Sequence, residues 1–219
     1  MTQPPFNAVI ANPAPGTKKG EKLNQSVNIY PKNNSRQGEA ISKKGFHMNI
    51  MNKSALLVLH HYNDHANTLV LQTASAMDEN ALTAQSSPSH GSVLALLTHM
   101  LTTEFFFLAR SEGKPVNPKS APDKSLALPE ITAAFAQVAA ERQKYLDWVT
   151  EERLLEVIEI PIGGQVFKLP RWQLLAQSLM HSAQHRGELS IVMTALGHPL
   201  PTLDPIIQFI NESGQHWPW

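Results

Sequence analysis

The sequence predicts an all-α fold, a four-helix bundle with a short β-hairpin before the last long helix and a short C-terminal helix. Three observations carry that expectation. Four long segments repeat apolar residues at intervals of three and four, the helical period. One stretch of β-branched and aromatic residues surrounds a Gly-Gly pair, the pattern of a tight hairpin. Prolines, glycines and capping residues fall at the ends of these segments rather than inside them.

The first helix is expected over about Ser54 to Met77, with Leu59, Tyr62, Ala66, Leu69, Val70, Thr73 and Met77 as its stripe. The second is expected to open near Ser87-Pro88, a cap followed by a first-turn proline, and to end before Gly113. It is apolar on nearly every side (Val93, Leu94, Leu96, Leu97, Met100, Leu101, Phe105 to Leu108), which predicts burial of the helix and of His99 within it. A loop from Lys114 to Leu128 leads to a third helix from Pro129-Glu130, striped by Ile131, Phe135, Val138, Ala139, Arg142, Tyr145, Leu146 and Val149. Leu155 to Ile162 and Gln165 to Leu169 flank Gly163-Gly164 as the hairpin. The fourth long helix opens at Pro170 and stops at Gly197, and Asp204-Pro205 starts the final short one. The long connections leave room for a crossover instead of strict up-and-down order.

Charge divides the chain. The formal net charge is zero, but residues 1–50 hold seven Lys/Arg against Glu21 and Glu39, so the remainder is net acidic. Rich in Pro, Asn, Gly and Ser without apolar period, residues 1–50 read as a disordered basic extension, and residues 51–219 as the bundle. No continuous apolar core of a secretory signal appears in the extension, and no apolar run approaches the roughly 20 residues of a membrane span. A cytoplasmic protein without membrane attachment is the expectation. An acidic bundle with no basic stripe also argues against nucleic acid as a partner.

Cysteine is absent, which excludes disulfides, zinc–thiolate sites and a protein thiol nucleophile. Any transition-metal chemistry therefore starts from the ten histidines. His181 and His185, four apart in the fourth long helix, lie on one face about one turn apart and can aim at one ion. Leu174, Leu175, Leu179, Leu189, Val192, Met193 and Leu196 define the inward stripe, with His185 inside it and His181 on its flank. Without the glutamate of an HEXXH motif, spacing alone leaves two readings open: a metal-ligand pair, or hydrogen-bonded core histidines. His61 and His65 repeat the spacing on the first helix beside His60, but His61 points away from the stripe and reads as solvated. His47, His90, His198 and His216 lack partner spacing.

Three stretches, taken together in their order and spacing, carry a family resemblance. They are His61-Tyr62-Asn63-Asp64-His65-Ala66-Asn67 on the first helix, Ser92 to His99 on the second, and His181-Ser182-Ala183-Gln184-His185-Arg186-Gly187-Glu188 followed by Gly197-His198-Pro199-Leu200-Pro201-Thr202-Leu203-Asp204. They resemble the DinB-like superfamily of metal-binding four-helix bundles, which includes bacillithiol and mycothiol S-transferase-like proteins. The first is similar to that family's first-helix Tyr-Asn-x-x-Ala-Asn signature and the second to its second-helix segment ending in a ligand histidine. The third is similar to its H-x-x-x-H-R-G-Q helix and G-x-x-P-P-x-x-D turn.

The resemblance implies three histidine ligands on two helices, here His99, His181 and His185, for one divalent transition metal (zinc, nickel or iron). It implies a transferase that activates a small-molecule thiol, or water, against an electrophile, or else a non-catalytic, stress-associated metal-binding bundle; a homodimer is the expected assembly. Glu188 stands where the family commonly has glutamine. A carboxylate there either receives the second ring N–H of His185 or is a solvated charge. Arg186, Asn63 and Asn67 are expected to be structural.

Overall fold

A computed structural model describes residues 51–116, 126–162 and 164–218. The basic extension predicted for residues 1–50 lies outside the described residues, as do Gly163 and most of the loop before the third long helix.

Capping residues set the helix starts. In α1 (Lys53–Ser75) the Asn52 side chain accepts from Ala55 N at 2.8 Å. A five-residue α2 (Glu79–Thr83) follows, with Asp78 accepting from Ala81 N at 2.8 Å. The third helix, α3 (Val93–Ser111), opens on Ser92, five residues after the expected Ser87-Pro88. Ser87 instead pairs with Gly91 in an antiparallel bridge, and Pro88 belongs to the turn it closes. Gly91 has φ +86°, which no β-carbon-bearing residue adopts cheaply. In α4 (Leu128–Trp148) Glu130 reaches back to accept from Ala127 N at 3.0 Å.

Thr150 and two first-turn glutamates start α5 (Glu151–Leu155), so Leu155 ends a helix instead of opening the hairpin. Strands β1 (Val157–Ile162) and β2 (Gln165–Pro170) pair antiparallel, with Val157 opposite Pro170 and Ile160 opposite Phe167. Arg171 closes the hairpin's base by donating its backbone N to Glu156 O at 3.1 Å. The longest helix, α6 (Arg171–Ala195), stops before Gly197 at φ +86°. Asp204 caps α7 (Pro205–Glu212) through Ile206 N at 3.2 Å.

Four long helices form the bundle, in the ring order α1–α4–α3–α6. Leu126 N donates to Thr98 Oγ1 at 3.1 Å, and Tyr145 OH donates to Ser111 O at 2.8 Å. The start of α4 therefore lies by the start of α3 and the two ends lie together, so these neighbours run parallel. Consecutive long helices that run parallel depart from strict up-and-down order, which is the crossover arrangement the sequence left room for. At nineteen residues, α3 is long and apolar enough to cross a membrane by length and composition, although the sequence showed no such run. It packs against α4 and α6 as a core helix and carries Glu104 at 1% exposure.

The inward face of α1 differs from the apolar stripe read off the sequence. Leu56, His60, Asn63, Ala66, Asn67, Val70, Leu71 and Ala74 are buried, whereas Leu59, Tyr62, Leu69 and Thr73 sit at the margin. Of the three buried polar residues of this face, Asn63 and Asn67 face inward because partners wait there. Glu104 Oε1 accepts from Asn63 Nδ2 at 2.9 Å, Asn67 Nδ2 at 2.8 Å and Ser182 Oγ at 2.6 Å. Its Oε2 receives Arg142 Nη1 at 2.7 Å, and Arg142 also donates to Asp64. Arg186 Nη1 donates to Asn63 Oδ1 at 2.6 Å and to Asn67 Oδ1 at 2.7 Å. One buried network thus ties α1, α3, α4 and α6, and it gives Asn63, Asn67 and Arg186 the structural roles expected of them.

Candidate metal centre

The centre lies where α3 and α6 face each other. The Ser182 hydroxyl, bonded to Glu104, fixes α6 against α3 one residue past His181. His99 Nε2 and His181 Nε2 then lie 3.0 Å apart. A ring nitrogen of His185 completes a set whose members are all within 4.8 Å of one another. As placed on the helical wheel, His185 is buried and His181 half-buried. His99 is half-buried too, short of the burial expected.

Two imidazole lone pairs 3.0 Å apart repel unless a proton or a cation lies between or beside them. Two nitrogens each 2.0–2.1 Å from a tetrahedral ion would lie roughly 3.4 Å apart, close to the separation observed. The donor set suits an ion in a second respect. Burial, reinforced by the neighbouring imidazoles, pushes His99 and His181 down to about 4, so both are neutral at pH 7, the form an ion needs. His181 Nδ1 and His185 Nδ1 are buried without a hydrogen-bond partner.

Glu188 is not a solvated charge. Its Oε1 accepts from Ser87 Oγ at 2.6 Å and Ser89 N at 3.2 Å, and its Oε2 from Ser89 Oγ at 2.6 Å. Oε2 also lies 3.5 Å from His185 Nδ1. Desolvation would raise this carboxyl, but the hydrogen bonds outweigh it and hold Glu188 down to about 2.

Sequence reasoning missed His90. Its ring stacks on His99 with centroids 3.9 Å apart and meets His185 edge-on at 5.2 Å. With His185 and Glu188 it forms a second potential ligand group. Spacing could not find it, because the turn that brings it in depends on the contacts of Glu188 from a helix about a hundred residues later. His61 and His65 are exposed, and His61 Nδ1 faces Glu212 at 3.3 Å on the bundle's outside.

His60 is a separate matter, buried at 2% exposure with neither ring nitrogen hydrogen-bonded. Burial first, and Arg142 second, push it down to about 3 from 6.5. Its folded form thus refuses a proton that the unfolded chain accepts below 6.5, so stability is lost as pH falls from 6.5 toward 3. His99 and His181 act with the same sign between 6.5 and about 4. Thermal midpoints of the metal-free chain are expected to fall steadily from pH 7 to pH 4, with a shallower slope in His60→Met. An identical slope in the variant would remove His60 from this account.

The DinB family model matches residues 48–212 of this chain. Among curated proteins none matches. Among solved structures, the chain is similar to the crystal structure of a DinB-like protein from Bacillus cereus ATCC 10987. The match has 14% identity and a TM-score of 0.55, covering 69% of this chain and 97% of that one. At that identity the likeness speaks to the fold alone. With three quarters of its length aligned to the family and the bundle in place, the chain belongs to the DinB family.

Proposed function

We propose that this chain holds one divalent transition ion between His99, His181 and His185 and works as a transferase centre, bringing a small-molecule thiol, or water, to an electrophile. The observation that carries the reading is the meeting of three imidazoles from two helices, with two Nε2 atoms 3.0 Å apart and His185 within reach of both. Three protein ligands leave a coordination position open, as catalytic sites do and closed structural sites do not. An ion so held supplies Lewis acidity, which lowers the pKa of a bound water or thiol toward neutrality.

The chain's own residues do the rest. Ser182 and Glu104 hold the two helices in register, so the ligand nitrogens converge without rearrangement. Glu188 lies beside His185 Nδ1, placed to receive that ring's N–H and orient its other nitrogen. An all-imidazole set suits zinc, nickel or iron alike.

Cobalt-substituted protein tests the reading. A small thiol added at millimolar concentration is expected to produce a sulfur-to-cobalt charge-transfer band with release of about one proton per site. The chain has no cysteine to contribute such a band itself. Cobalt bound at full occupancy with a spectrum indifferent to every thiol would overturn the thiol-transferase reading and favour a non-catalytic metal-binding bundle.

A further inference from the structure

The turn between α2 and α3 is fastened to α6 at the edge of the three-histidine centre, and the bonds that fasten it determine a tautomer. Glu188 accepts from Ser87 Oγ, Ser89 N and Ser89 Oγ, so it is an anion with no proton to give. The single hydroxyl hydrogen of Ser89 is therefore spent on Glu188 Oε2, at 2.6 Å. Yet Ser89 Oγ also lies 2.6 Å from His90 Nδ1. With its own hydrogen committed, Ser89 can only accept there, so Nδ1 of His90 must carry the proton. A neutral imidazole protonated at Nδ1 has its lone pair on Nε2. Among the described residues, His90 Nε2 makes no hydrogen bond, while the ring lies against His99 and His185.

We propose that His90 contacts the ligand of this centre: the chain Glu188–Ser89–His90 fixes its Nδ1–H tautomer, so that Nε2 accepts a hydrogen bond from a ligand that carries a hydrogen at the open side of the three-histidine site. Ser89 and Glu188 are positioning residues in this arrangement. The stacked ring geometry favours this role over a fourth metal ligand. Two imidazoles on one ion direct their nitrogens at a common point within their ring planes, whereas His90 lies face to face with His99 at 3.9 Å and 25° between planes. The turn is stiff enough to present the ring, being closed by the Ser87–Gly91 bridge and by His90 N donating to Ser87 Oγ at 3.1 Å.

The consequence is selection by hydrogen-bond donation, with water, hydroxide and hydrosulfide, which keep a hydrogen when bound, favoured over anions that bear none. The inference rests on the metal reading above, and its test separates the two. Metal content of cobalt-loaded protein is read first. Long-range nitrogen–proton correlation spectra of the ¹⁵N-labelled, zinc-loaded chain then report the His90 tautomer. The Nδ1–H form is expected in wild type and in Ser89→Thr, with a mixture of tautomers in Ser89→Ala. Optical titration of the cobalt protein is expected to show hydrosulfide bound about tenfold more weakly by His90→Ala than by wild type, with azide changed less than about twofold. Absence of cobalt from the loaded protein would overturn the metal reading and this proposal together. Full cobalt occupancy with His90 in the Nε2–H form, or with both anions weakened alike in His90→Ala, would overturn this proposal alone.

Discussion

Glu104→Ala is expected to destabilise the bundle by about 3–5 kcal/mol, the range for removing one partner of a buried ion pair. The carboxylate is 1% exposed and receives four donors from three other helices. Burial alone would raise its pKa, yet Arg142 and the three neutral donors hold it well below the usual carboxylate range. Deleting it leaves the Arg142 guanidinium, 2% exposed, with Asp64 as its sole carboxylate, and leaves Asn63, Asn67 and Ser182 each with an unspent donor. Glu104→Gln keeps the shape and one acceptor oxygen but loses the charge, so an intermediate loss is expected. Urea unfolding of the metal-free chain is the measurement. A loss below about 1 kcal/mol in Glu104→Ala would mean that water or Asp64 replaces the carboxylate, and that the network does not hold the four helices.

Much of the bundle was legible because its outer constraints are local. Asp204 and Gly197 act through bonds or backbone angles within a few residues, and the apolar stripe of α6 needs only its own period. The inner face of α1 was misread for a physical reason. Apolar periodicity assumes that inward positions are apolar, and here Asn63 and Asn67 are inward because Glu104 and Arg186 satisfy them from other helices. One signal was available: Glu104 is the single acid in the otherwise apolar α3, and a lone carboxylate in such a helix needs a buried cation.

The candidate site divides the same way. The spacing of His181 and His185 is a property of one helix, whereas adding His99 to the pair took the resemblance to a family. His90 was visible by neither route, since it reaches the centre through Ser87 and Ser89 bonding a glutamate where that family commonly has glutamine. The short helices α2 and α5 escaped because five residues carry too little period to read; their capping residues, Asp78 and Thr150, were the only marks.

His181→Ala and His185→Ala are each expected to lower divalent-ion affinity at least about a hundredfold, beyond the 10–100-fold that follows loss of a residue merely supporting a ligand. Wild-type chain should purify with, or take up, about one ion, and the double variant none, by elemental analysis after dialysis. Helical circular dichroism should survive, because the stripe that packs α6 consists of Leu174, Leu175, Leu179, Leu189, Val192 and Met193 and is untouched. The single variants decide between the two groups of potential ligands. If the ion lies among His99, His181 and His185, both variants lose it. If it lies among His90, His185 and Glu188, His181→Ala keeps it and His90→Ala loses it. The pair His61→Ala and His65→Ala should leave occupancy unchanged, both side chains being exposed on the far side of α1 from the network. Glu188→Gln sits between these cases. It keeps an acceptor near His185 but loses the charge that favours that ring's N–H, so a loss of about tenfold is expected, with the ion still bound at stoichiometric concentrations. Metal retained at full stoichiometry by the His181/His185 double variant would remove the centre from α6 altogether, and with it the transferase reading.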